Sequence, residues 1–87
     1  MTNDNAELQA QIIALRLAVE GMWLSILRID PNAVAQAERL GRENVAAIGQ
    51  LDASTPENAA MRDSVRAHTE RLWGSIHWQL EQDAAQR

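Results

Sequence analysis

A chain of 87 residues without cysteine has room for one domain and neither a disulfide nor a thiolate metal site to reinforce it. Twelve acidic residues against eight basic ones give a net charge of -4, which disfavours a nucleic-acid backbone as the partner. With those reinforcements excluded, oligomerisation is the favoured way to complete so small a core.

Asp4, with Glu7 three residues on, fits a capping box that opens a first helix over about residues 5–29. Its run IIALRLAVEGMWLSIL is apolar on more than one side. One stripe, Leu8, Ile12, Leu15, Val19, Met22, Ile26 and Ile29, steps by alternating fours and threes like a heptad seam, and is assigned to the packing against the other two helices. A second stripe, Ile13, Leu17, Leu24 and Leu27, lies well around the helix from the first and is expected to stay uncovered. Arg16, Glu20 and Arg28 interrupt the apolar region, so no membrane span is expected. The acidic start MTNDNAE is the opposite of a secretory leader's basic one, so the expected location is cytoplasmic. Basic residues that are all Arg, alongside abundant Ala, point to a bacterial or phage gene.

Asp30-Pro31 stops this helix and starts a second over about residues 31–51, Asp30 as cap and Pro31 as first helical residue. Val34, Ala37, Leu40, Gly41, Val45, Ile48 and Leu51 form its single apolar face. Ser54 or Thr55 followed by Pro56 repeats the device for a third helix over about residues 56–82. Its expected core stripe is Met61, Val65, His68, Leu72, Ile76 and Leu80, with Trp73 flanking it and Trp78 pointing away. No segment alternates as a strand does. The expected fold is all-α: one domain over residues 1–87, an up-down-up bundle of three helices whose first and third are long, and which self-associates.

Those uncovered apolar residues carry the functional expectation. Ile13, Leu17, Leu24, Leu27 and Trp78 are assigned to an oligomer interface, in a homodimer or larger assembly acting as a non-enzymatic interaction or adaptor module. A further protein partner is expected, with the chain as a small regulator that binds it. The competing reading is a site for a small anionic or nucleotide-like ligand, with Arg62 and Arg66 one turn apart to hold the anion, and Trp73 and His77 beyond them. Neither metal nor cofactor is expected: Glu70, His77 and Glu81 share a face, but a solvated charged face is the ordinary reading of such a pattern. Residues 33–52 superficially resemble a helix-turn-helix, with Gly41 where its turn would fall, but larger apolar residues are missing at Arg42, Ala47 and Gln50. Glu20–Ile26 and Glu70–Ile76 share Glu, Trp, Ser and Ile in the same order, a match short enough to arise by chance. No nucleophile has an evident partner, so no enzymatic activity is expected.

Overall fold

The computed structural model describes residues 2–86, with side chains from residue 4 onward. The described residues form three helices, α1 (Thr2–Leu27), α2 (Ala33–Ile48) and α3 (Pro56–Ala85), and no strand. Because α1 already begins at Thr2, Asp4 sits in its first turn. There a carboxylate favours the positive end of the helix dipole, in place of the capping box expected at Asp4 and Glu7.

The two connections differ in how far they follow the sequence reading. Thr55 caps α3 by accepting a hydrogen bond from the Asn58 backbone N–H at 3.1 Å, and Pro56 occupies the first turn. Asp30, by contrast, spends its carboxylate on the backbone N–H of Asn32 two residues on, at 2.7 Å. This turn is an alternative to capping, and it moves the N-cap to Asn32 and the helix start to Ala33. At the far end of α2, Gly49, Gln50 and Leu51 donate to carbonyls three residues back, so the chain tightens out of α-geometry before residue 51.

α2 and α3 form an antiparallel pair. The Trp73 indole N–H donates to Asn44 Oδ1 at 2.9 Å, His77 Nε2 lies 3.0 Å from Glu38 Oε1, and the Arg66 guanidinium reaches the Gly49 end of α2. Later positions on one helix therefore meet earlier ones on the other. At Gly41 the missing side chain is what admits Trp73, since a Cβ there would lie 3.2 Å from the Trp73 Cβ. Gly41 is inside a continuous helix, so the turn a helix-turn-helix needs is absent.

α1 joins this pair at one end. Leu24 and Leu27 enter a core with Ala37, Trp73, Ile76 and Leu80, and Trp23, Ala33, Val34, Leu40 and Leu72 pack around it. Arg28 closes the edge by donating to Asp83 Oδ2 at 2.7 Å. Above this contact α1 leaves its companions, and every residue from Asp4 to Val19 is exposed. Met61, Val65 and His68, expected in the core of α3, are exposed for the same reason: the stretch of α1 that would cover them does not lie against them.

The result is flat and open, 46 × 32 × 17 Å, with a radius of gyration of 15.4 Å where a compact chain of this length would have about 12 Å. Its accessible surface of 6453 Å² is roughly 1,300 Å² above the ~5,100 Å² expected for a compact monomer of 9.7 kDa.

Candidate interaction surface

The C-terminal half of the second stripe of α1 and the whole of the first depart from the roles assigned to them from sequence. Leu24 and Leu27, expected at an interface with another chain, are 6% and 4% exposed in the protomer's own core. Ile13 and Leu17 continue the same inner face toward the N-terminus and remain exposed, as does Trp78 on the outer side of α3. The heptad stripe, expected to pack on α2 and α3, is the exposed one: Leu8, Ile12, Leu15, Val19, Met22 and Ile26 range from 37% to 66% exposed. Projected at 100° per residue, it is centred roughly 130° from the buried Glu20, Leu24 and Leu27, so it looks away from the α2/α3 pair.

The inner face is selected by contacts that apolarity does not disclose. Trp23 lies against Trp73 with ring centroids 5.3 Å apart, and Glu20 is buried with Arg16 Nε 3.7 Å from its Oε1. The Trp23–Trp73 and Arg28–Asp83 pairs place a polar-edged, aromatic strip of α1 against α3. The purely aliphatic seam is left outside. Burying such side chains recovers about 25 cal/mol per Å², or roughly 1.5 to 3 kcal/mol for a large one covered completely. Six of them are comparable in sum with the whole stability of a small domain.

α1 is also long and apolar enough to cross a membrane over Asp4–Leu27, by length and composition, even with Arg16 and Glu20 in its middle. This departs from the expectation that those charges rule out a span. Its last two turns are engaged with the protein's own core, which a membrane-spanning placement of the full segment would have to release.

The residues expected to hold an anion do not converge on one. Trp73 is 7% exposed, its ring set against Gly41 and Trp23 and its N–H spent on Asn44, so no face is free to stack on a ligand. Arg66 lies at the C-terminal end of α2, where a cation favours the dipole. Arg62 is half-buried nearby, its Nε 3.9 Å from Asp63 Oδ1 and without a hydrogen-bond partner. His77 is some three turns away along α3, between Glu38 Oε1 at 3.0 Å and Glu81 Oε1 at 3.1 Å, tying α2 to α3. Glu70 is not in that cluster, and among the described residues no group of three His, Cys, Asp or Glu side chains is arranged so that it could hold a metal ion.

Two grooves remain. An open one of about 550 Å³ runs between α2 and α3, floored by Ala37, Gly41, Val45 and Gly74 and edged by Glu70 and His77. A second, of about 380 Å³, lies at the α1–α2 connection between Arg28, Pro31, Val34 and Leu80.

No protein-family model, curated protein or solved structure matches this chain.

Proposed function

We propose that the chain is a non-enzymatic, self-associating helical module whose interface is the outer face of α1. The observation carrying this reading is the exposure of Leu8, Ile12, Leu15, Val19, Met22 and Ile26, all the residues of the heptad stripe that lie in α1, while another face of the same helix enters the core. The surplus surface supports it, since about 800 Å² per partner is enough for a standard protein–protein interface. So does the small internal core, which gives an 87-residue chain little stability of its own. The up-down-up course belongs to the same reading: the contacts Trp23–Trp73 and Arg28–Asp83 advance together along α1 and α3, while α2 runs against α3. With α1 occupied by assembly, α2, the α2/α3 groove and Trp78 are left to engage a further protein, the role of an adaptor or small regulator.

Light scattering on size-exclusion fractions tests it. A mass of at least twice 9.7 kDa is expected, falling to that of one chain in Leu15→Glu and Val19→Glu. A single-chain mass at every concentration overturns the reading.

A further inference from the structure

We infer that the occupant of the outer α1 face is a second copy of this chain, joined as a parallel, in-register, two-stranded coiled coil in which Asn5 faces its counterpart across the seam. This rests on the self-association proposed above and adds the partner, its direction and the number of strands.

The residue types at the two seam positions carry the argument. Counting back from Ile26 in steps of seven gives Ile26, Val19, Ile12 and Asn5 at one position of the heptad; the other holds Met22, Leu15 and Leu8. The first set is β-branched throughout apart from its Asn, and the second is unbranched at Cβ throughout. β-branched residues at a with Leu at d favour two parallel strands, because the side chains enter the facing holes at different angles at the two positions. All seven residues lie in α1 and are exposed, so the seam is complete and free.

Asn5 selects the direction. In a parallel, in-register pair it meets another Asn5 and the two amides can hydrogen-bond to each other. An antiparallel pair is also possible on apolar grounds, matching Leu8 with Ile26, Ile12 with Met22 and Leu15 with Val19. That register sets Asn5 opposite Ile29, beyond the end of α1, with no polar partner. It also brings the two copies of Arg16 to the same side of the seam near the dyad, where like charges repel. In the parallel register the flanking pairs are Asp4 with Gln9, Gln11 with Arg16 and Ala18 with Trp23, none of them like-charged.

The chain has no cysteine, which makes the test direct. Leu8→Cys in a glutathione redox buffer is expected to give a covalent two-chain product in high yield. Ala10→Cys, on the opposite face, is expected to stay unlinked. Asn5→Ile is expected to lose the restriction to the parallel direction, so that Leu8→Cys in that background links with Ile26→Cys as well as with itself. Leu8→Cys that stays unlinked alone but links when mixed with Ile26→Cys overturns the parallel direction. A mass of three or four chains for the unaltered protein overturns the stoichiometry while leaving self-association standing, and an Asn5→Ile background in which Leu8→Cys still links only with itself removes the role given to Asn5. A single-chain mass together with co-flotation on phosphatidylcholine vesicles overturns both this inference and the reading beneath it, assigning the face to lipid.

Discussion

Trp23 of α1 and Trp73 of α3 meet with ring centroids 5.3 Å apart and planes inclined at 53°, a tilted pair that fixes where the first helix lands on the other two. Trp73 is the centre of the fold: its ring fills the space left by Gly41, and its N–H is satisfied by Asn44. Truncating a buried Trp to Ala costs about 3 to 5 kcal/mol, so Trp73→Ala should leave little folded protein at 37 °C. Trp73→Phe keeps most of the volume and forfeits the hydrogen bond to Asn44, for which a loss of ~1 kcal/mol or more is expected. Urea denaturation followed by far-ultraviolet circular dichroism measures both. Equal stability of Trp73→Ala and the parent chain would contradict the assigned core.

The glycines separate by what surrounds them. A Cβ at Gly21 or Gly74 meets nothing within 4 Å, so Gly21→Ala and Gly74→Ala should each stabilise the helix by about 0.5 to 1 kcal/mol. At Gly41 the Trp73 side chain is already at contact, and Gly41→Val should cost about 1 to 3 kcal/mol through overpacking. Thermal melts resolve these differences, since 1 kcal/mol shifts the Tm of a domain this size by about 4 to 8 °C.

Leu24 and Leu15 are both leucines of α1, one inside and one outside. Leu24→Ala should cost about 2 to 5 kcal/mol at any protein concentration, because it leaves a cavity in the protomer. Leu15→Ala should act only through assembly, with an effect on Tm that depends on protein concentration. Melts at two concentrations a hundredfold apart distinguish them, and a concentration-independent loss at Leu15 would place it in the core.

Asp52 accepts a hydrogen bond from the Ser54 backbone N–H at 2.9 Å and another from the Asn58 side-chain amide at 3.2 Å. Chiefly the backbone bond, with the Ser54 hydroxyl and Asn58 adding to it, holds the Asp52 carboxyl below the ordinary aspartate value. A carboxylate with a folded pKa depressed in this way adds stability above the unfolded value of about 4, and that contribution is lost as pH falls through the folded value. Asp52→Asn should therefore be less stable than the parent at neutral pH, with the gap narrowing below about pH 4. A constant gap across that range would show that the charge is not what matters.

The helix ends were legible wherever a side chain had one local use. Thr55-Pro56 starts α3 as its chemistry dictates, because the threonine hydroxyl has the Asn58 N–H in reach and no competitor. Asp30 had two local uses, as a cap or as the acceptor of a turn, and the turn prevailed, which displaced the start of α2 by two residues. The matched segments Glu20–Ile26 and Glu70–Ile76 make the same point at longer range. Their tryptophans touch, yet Glu20 is buried where Glu70 is exposed, and Ile26 is exposed where Ile76 is wholly buried.

What the sequence by itself determined is the helical class, the three segments and the excess of apolar perimeter on the first, since periodicity, proline and caps act within a few residues of chain. It did not determine which stripe of α1 turns inward, because the aliphatic residues on both faces gain alike from leaving water and the hydrophobic effect has no direction. Only the tertiary structure decided that. Trp23 against Trp73 and Arg28 on Asp83 work at short range and fixed geometry, and they bind the inner face while the heptad seam stays outside.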